Sequence, residues 1–262
     1  MVLNSRGAFN QHCYVDETGN HRARYKGLEL SSVFQPIFDG RRRLIGLEAL
    51  LRVFSTKTQK LIPPNLVLDT QKNDFIDCLN VDRLSRAIHL RNFATLNRTD
   101  ITLFLNMLPI SSEYNMQKAI DATLLLKRMQ ELGINTSRVV FELVETESMA
   151  DELLTSATHY MQQVGFQVAI DDFGAGESNI KRLSLIKPDI IKVDRSLLQA
   201  FCQGRPASLI EVLQHARVLN VPVIIEGIET TKEFKQMQEL EIHYYQGFLL
   251  GKPQNLKDIF GN

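Results

Sequence analysis

Apolar and polar positions along this chain follow the periods of short β-strands and amphipathic helices. After residue 52, β-branched runs alternate with stretches in which apolar residues recur every three or four positions. This alternation is typical of βα units and a parallel sheet. Gly133 and Gly165 follow the first two helical stretches, as expected of residues that end a helix. The predicted helices cover 115–132, 149–164, 205–219 and 230–240.

Two apolar runs near the N-terminus, 33–38 and 44–50, are predicted to pair antiparallel. Only the turn-rich segment 39–43 separates them. A parallel pair needs a crossover of about a dozen residues, so this short connection favours a hairpin. Six later strand candidates bring the number to the eight strands of a (β/α) barrel. They are 101–106, 139–143, 167–171, 189–193, 221–226 and 242–246.

The sequence predicts one domain with an N-terminal extension. Residues 1–28 are polar, contain glycine and show no clear period, which is typical of an extension or an edge segment. The remaining residues, 29–262, contain no low-complexity linker and fit one domain of barrel size.

Seven of the apolar runs end in a polar or charged residue. Carboxylates at the end of a buried strand are costly unless a cation meets them. Because barrel active sites lie at the C-terminal strand ends, we expect these side chains to share one rim. They are Glu48, Asn106, Glu142, Asp171 with Asp172, Lys192, Glu226 and Gln246.

This rim predicts metal-dependent phosphoryl chemistry. Carboxylate and amide oxygens suit Mg²⁺ or Mn²⁺, and a carboxylate-rich set fits two cations about 3.5–4 Å apart. Bland alternatives remain for single residues. Asp171 and Asp172 precede Gly174 and also fit a solvated turn. Lys192 also fits a structural ion pair with Asp189 or Asp194.

Composition narrows the partners. The 30 basic and 30 acidic residues give no net charge, which argues against bulk attraction to polymeric nucleic acid or an anionic membrane. Cys13, Cys78 and Cys202 have neither metal-site nor disulfide spacing, so a reducing compartment is expected. No apolar stretch reaches the roughly 20 residues of a membrane span. We therefore expect a cytoplasmic protein.

The motifs around these residues resemble the EAL-domain family of cyclic-di-GMP phosphodiesterases, over residues 28–256. Glu48 begins EALLR, and several further motifs follow in the family's order. They are FQPI, LFLN, FELVE, DDFGAG, IKVD, IIEGIET and YYQGFLLGKP. The resemblance implies a modified TIM (β/α)8 barrel with an antiparallel first strand. It also implies an enzyme that hydrolyses cyclic-di-GMP to linear pGpG with two divalent cations, Mg²⁺ or Mn²⁺.

The resemblance also implies a role for each site residue. One cation would be held by Glu48, Asn106, Glu142 and Asp171, and the other by Asp171, Asp172 and Glu226. The catalytic set would be Lys192, Glu48, Asp171 and Gln246. Gln35, Arg52 and Asp194 would contact substrate, whereas Glu145 and Glu229 would anchor loops. A homodimer and a bacterial switch between motility and biofilm growth are further implications.

Two departures from the family pattern leave alternatives open. A shift of two residues in the fourth strand would place Val144 at the ligand position of Glu142, and Ile225 stands where the family usually has alanine. Glu142 is the preferred ligand, because it ends the apolar run and its distance to Asp171 suits the family better. A cyclic-di-GMP-binding effector or protein-interaction module of weak activity is the second hypothesis and ranks lower, because the chain retains all the expected metal ligands. An unrelated barrel enzyme acting on another phosphoester is the third.

Overall fold

Runs of β-branched and apolar residues form the strands of a closed barrel in the computed structural model, which describes residues 1–108, 120–144, 151–174 and 180–261. Most barrel strands are buried on both faces, as expected where helices cover a parallel sheet. In chain order the strands are β1 (Cys13–Val15), β2 (His21–Tyr25), β3 (Leu28–Asp39), β4 (Leu44–Ser55), β5 (Lys60–Ile62), β6 (Thr102–Met107), β7 (Val139–Val144), β8 (Gln167–Phe173), β9 (Ile190–Val193), β10 (Val223–Ile225) and β11 (Tyr244–Tyr245).

The barrel closes through its first strand. β3 pairs antiparallel with β4, where Gln35 lies opposite Glu48, and antiparallel with β11, where Phe38 lies opposite Tyr245. The order β4, β6, β7, β8, β9, β10 and β11 is parallel throughout. The predicted eight-stranded α/β barrel with an antiparallel first strand is therefore confirmed.

Helices cover the outside of the barrel. The four predicted helices are present within the described residues, and Gly133 and Gly165 have the left-handed φ angles of 69° and 96° expected after a helix. In chain order the helices are α1 (Arg6–His12), α2 (Pro64–Leu68), α3 (Phe75–Ala94), α4 (Ile120–Glu131), α5 (Asp151–Gln163), α6 (Ile180–Ile186), α7 (Arg195–Cys202), α8 (Ala207–Leu219), α9 (Thr231–Gln238) and α10 (Leu256–Phe260), with a 3-10 turn at Thr136–Arg138.

The described helices that were not predicted are α1, α2, α3, α6, α7 and α10. α3 is the longest described helix, and it buries polar side chains as well as apolar ones. Asn80, Arg83, His89 and Asn92 are among those buried polar residues. An apolar stripe with a helical period therefore does not appear in its sequence.

The polar residues of α3 bind the N-terminal segment. Asn80 accepts the backbone N–H of Leu3 at 2.8 Å, and Arg83 donates to the Leu3 carbonyl at 2.7 Å. Asn92 accepts from the N–H of His21 at 2.7 Å and donates to its carbonyl at 2.9 Å. Residues 1–25 are thus fastened to the barrel through their backbone, and β1 and β2 extend the sheet beyond the start of β3.

Side chains that point into the barrel form layers. One layer is apolar and fully packed, as in TIM-type barrels. Its members are Ile37, Phe104, Val140, Ala169, Ile190 and Ile224. Gly46 completes it without a side chain, because a Cβ there would lie 2.7 Å from the Phe104 ring. Within the described ranges, no helix is long and apolar enough to cross a membrane.

Candidate active site

The polar rim is the next layer of the barrel interior. Side chains along a strand alternate between the two faces, so the residue two positions beyond an inward apolar residue also points inward. Val140 is followed in this way by Glu142, Ala169 by Asp171 and Ile190 by Lys192. The same step leads from Phe104 to Asn106 and from Ile224 to Glu226.

The Lys192 ammonium lies at the centre of this layer. Its Nζ is 2.7 Å from Glu142 Oε1, 2.8 Å from Asp171 Oδ1 and 2.8 Å from Glu226 Oε1. Glu48 Oε2 is further away, at 3.7 Å. Lys192 and Glu142 are 1% and 0% exposed, so this is a buried ionic network.

The structural alternatives considered for Lys192 are not observed. Asp189 accepts the backbone N–H of Val168 at 2.8 Å and the side-chain amide of Gln162 at 3.0 Å. Asp194 caps α7 by accepting the N–H of Ser196 at 2.8 Å. Both carboxylates therefore accept backbone N–H groups, whereas Lys192 forms ion pairs with the carboxylates of the rim.

Two amides hold the carboxylate of Glu48. Gln246 Nε2 donates to Oε2 at 2.6 Å, and Asn106 Nδ2 donates to Oε1 at 3.2 Å. Gln246 is buried, and its own Oε1 has no hydrogen-bond partner among the described residues. The two amides fix the plane of the Glu48 carboxylate, and each keeps an oxygen that can accept or coordinate.

Asp171 and Asp172 turn to the same side of the barrel because the strand ends irregularly between them. Asp172 has a left-handed φ of 55°, and the pairing of β8 with β9 shifts between Ile170 and Phe173. Ligand oxygens of Asp171, Asp172 and Glu226 consequently lie within 4.8 Å of one another. Of the described residues, this group has the spacing of a metal site.

The carboxyl groups outnumber the ammonium, and this sets their protonation. Burial raises the pKa of Glu142 well above its usual range, and Glu48 adds to the effect. Burial also raises the pKa of Glu226 to about 8. Lys192 keeps its proton: burial opposes its charge, but Asp171 and Glu142 hold its pKa well above the usual value. Without a further cation the layer cannot hold all its carboxylates ionised.

A cavity of about 310 Å³ opens above this layer. Glu48, Glu226 and Gln246 form its floor, and Gln35 lies beside them. Gln35 is opposite Glu48 across the hairpin, and its side-chain amide donates to the Gly251 carbonyl at 3.3 Å. The volume is at the lower end of the range of small-molecule sites, about 300–1,000 Å³.

Residues from two loops form the mouth of the cavity. Asp194 and Arg195 begin α7, and Glu229 follows β10. Arg195 forms an ion pair with Glu229, which ties the two loops together. Gly227 has a φ of 70°, and a Cβ there would lie 2.6 Å from the Arg195 side chain. This glycine leaves room for the arginine.

Of the candidate residues, Arg52 is not among the described residues that line the cavity. Arg52 is four residues beyond Glu48 on β4, and its guanidinium donates to the Leu51 carbonyl at 3.0 Å. Glu145 lies outside the described residues, so its predicted anchoring role stays a prediction.

Sequence reasoning missed Arg195 and Phe248. Both line the cavity, and Phe248 is 53% exposed there. An exposed aromatic directly after Gln246 and Gly247 was the available signal, because large apolar side chains on a surface often mark contact sites.

Comparison with protein families identifies the family of this chain. The model of the EAL domain matches residues 21–253. The chain belongs to the EAL domain family. The motifs on which the resemblance rested lie within the matched residues.

Several relatives are similar over most of the chain. "Probable cyclic di-GMP phosphodiesterase PdeI" of Escherichia coli K12 is 30% identical, over 86% of this chain and 29% of its own length. Klebsiella pneumoniae BlrP1, solved as a calcium/cy-diGMP complex, has a TM-score of 0.74 at 26% identity, over 86% of this chain and 56% of that one. A standalone EAL protein of Vibrio cholerae O395, with c-di-GMP bound, has a TM-score of 0.72 at 25% identity, over 86% and 92%. The chain spans less than half the length of the curated relatives that it matches.

Proposed function

We propose that this chain is a metal-dependent phosphodiesterase that hydrolyses cyclic-di-GMP to linear pGpG. The observation that carries the proposal is the ring of Glu48, Glu142, Asp171 and Glu226 around Lys192 in an EAL barrel. Relatives named cyclic di-GMP phosphodiesterases, and a related structure with the dinucleotide and calcium bound, support the substrate class.

The residues of the rim fit divalent cations. Glu142 Oε2 is buried and has no hydrogen-bond partner among the described residues. One ammonium faces at least four carboxylates, which leaves negative charge to be matched. The donors are oxygens, which Mg²⁺ and Mn²⁺ prefer. One site would use Glu48, Asn106, Glu142 and Asp171, and the other Asp171, Asp172 and Glu226.

Bound cations would supply Lewis acidity, lowering the pKa of a water and neutralising phosphoryl oxygens. This chain's own groups would position the reactants. Lys192 Nζ, fixed by Glu142 and Asp171, would donate a hydrogen bond to the attacking water or to a phosphoryl oxygen. Gln246 and Asn106 would keep Glu48 in one orientation.

Residues at the mouth would hold the substrate. Gln35 and Asp194 line the cavity and would accept or donate hydrogen bonds to the dinucleotide. Attack in line with the P–O3′ bond would then release the 3′ oxygen and leave pGpG. Arg52 lies four residues beyond Glu48 on β4 and would contact the substrate from there.

The decisive experiment is turnover of cyclic-di-GMP by the purified chain with Mg²⁺, Mn²⁺, Ca²⁺ or chelator, with pGpG measured by chromatography. We expect product with Mg²⁺ or Mn²⁺ and none with chelator. Ca²⁺ should inhibit, because its larger and more flexible shell misplaces the reacting water. Full activity in Ca²⁺ would contradict a tight two-cation site.

Variants test the residue assignment. Asp171→Asn and Glu48→Ala should each lower kcat at least about 100-fold, with thermal stability preserved. Asp100→Asn is the matched control, because Asp100 forms a surface pair with Arg98 away from the rim. Tight binding of the dinucleotide without product would instead favour the effector hypothesis.

Light scattering tests the homodimer, which stays a prediction.

A further inference from the structure

A second cavity lies outside the barrel, beneath the N-terminal segment. Its volume is about 190 Å³, and its walls are mostly apolar. Leu3 and Phe9 of the N-terminal segment, Leu125 of α4, Tyr160 and Phe166 are among the residues that line it. Because a dry apolar cavity of about 150 Å³ can hold benzene, this space fits an apolar body of about six to ten heavy atoms.

The charges that surround this cavity are strongly one-sided. Six cations but one carboxylate, Glu131, line it among the described residues. Glu131 is shared between Arg6 at 3.4 Å and Arg128 at 2.7 Å. Arg86 is matched by Asp82 at 2.9 Å. The described lining residues therefore include more cations than carboxylates, in a chain whose net charge is zero.

Arg91 is the cation whose pairing is least complete. It donates through Nη2 to the amide oxygen of Asn10 at 2.9 Å, which is a neutral partner. Its Nε is buried and has no hydrogen-bond partner within the described part of the chain. Burial lowers the pKa of Arg91, and Arg128 and Arg6 act in the same direction. An anion beside Arg91 would relieve this repulsion.

We propose that this cavity binds a small amphipathic monoanion: a carboxylate with a straight hydrocarbon chain, whose carboxylate faces Arg91 and Arg128. The apolar walls of the cavity contact the hydrocarbon, and Arg91 and Arg128 bind the carboxylate. A neutral hydrocarbon leaves the cations uncompensated, while a nucleotide has no comparable apolar body. The inference does not depend on the proposed phosphodiesterase activity.

The probe is octanoate, and its binding to the full chain is measured by isothermal titration calorimetry. Octan-1-ol, with the same chain and no charge, should bind at least about tenfold more weakly. Arg91→Gln should weaken octanoate binding at least about tenfold. Arg98→Gln is the matched control, because Arg98 pairs with Asp100 on the surface, and it should bind as the unmodified chain does.

A second variant fills the space rather than removing the charge. Ala87 is half-buried on α3 and lines the cavity, so Ala87→Phe should abolish octanoate binding while circular dichroism shows that the fold is kept. No binding of octanoate to the unmodified chain would overturn the proposal. Equal affinity for octanoate and octan-1-ol, or equal octanoate binding by Arg91→Gln and the unmodified chain, would also overturn it.

Discussion

The two cavities of this molecule have opposite charge and are built in opposite ways. The barrel cavity has an acidic floor with one buried ammonium, and its residues point inward from the ends of barrel strands. The second cavity, outside the barrel, combines apolar walls with several cationic side chains. The net charge of the chain is zero, so the sum hides the opposite local charges of the two cavities. A balanced composition therefore excludes broad attraction to polyanions but says nothing about either site.

The largest expected effect comes from removing the cation at the centre of the acidic layer. Lys192→Met leaves buried carboxylates without a partner, so in chelator it should lower the free energy of unfolding by about 3–5 kcal/mol. Turnover should be lost as well. Urea denaturation measures the first effect, with the exposed Lys60→Met as control. Excess Mg²⁺ should restore part of the stability. Unchanged stability in chelator would show that the lysine does not hold this layer together.

A medium effect distinguishes the two regions by pH. In the metal-free chain, Glu226 has a pKa near 8 instead of the ordinary 4.5, so it takes up protons on folding. Its contribution to stability is complete below about pH 4.5 and is lost as the pH rises towards 8. Its contribution should change by no more than about 1.4 kcal/mol per pH unit. Glu226→Gln should remove this dependence in urea titrations with chelator.

His89, on α3, should show the opposite trend. It is fully buried against Ser32, at 2.7 Å, and burial lowers its pKa from 6.5 to about 3. Its contribution is complete above pH 6.5 and is lost as the pH falls towards 3. His89→Gln should flatten the acid side of the stability profile and leave the alkaline side unchanged. Between pH 4.5 and 6.5 the two groups act with opposite slopes. If both variants shifted the slope in that interval in the same direction, the assignment of opposite signs would be wrong.

The smallest expected effect concerns the mouth of the barrel cavity. Arg195→Gln breaks the ion pair with Glu229, which is partly exposed and therefore weakly stabilising. We expect KM for cyclic-di-GMP to rise roughly two- to fivefold, with kcat nearly unchanged. Arg205→Gln is a suitable control, because Arg205 lies beyond the C-terminal end of α7 and is not among the described residues that line the cavity. A large fall in kcat with KM unchanged would instead place Arg195 next to the reacting phosphate.

The acidic layer could be predicted from the sequence because each strand carries its own signal. A polar residue that ends an apolar run is visible without any tertiary contact, as with Glu142 after Val140. What could not be predicted was the meeting of these residues at Lys192. From spacing alone, Asp189 and Asp194 were equally good partners for Lys192. In the structure these two carboxylates accept backbone N–H groups, and Lys192 contacts Glu142 instead.

The packing of residues 1–25 on α3, and the second cavity beside them, were much less predictable, for a physical reason. α3 stabilises residues 1–25 through polar side chains that bond to backbone groups. Because these contacts bind backbone groups, they do not depend on the side chains of residues 1–25. They therefore leave no recognisable pattern in that segment or in α3. The cationic cavity is also assembled from distant segments, with Arg6, Arg91 and Arg128 on three helices. No local motif announces it.

The seam of the barrel has a consequence for how the chain acquires its structure. β3 pairs with β4 across a short turn, but its other edge pairs with β11, near the opposite end of the sequence. A contact between such distant segments carries a large loop-closure cost and slows folding. During synthesis the opening hairpin can form early, and β2 pairs with the start of β3. The part of the same edge near Phe38 stays unpaired until β11 arrives. That edge is where a nascent or partly folded chain is most exposed to aggregation.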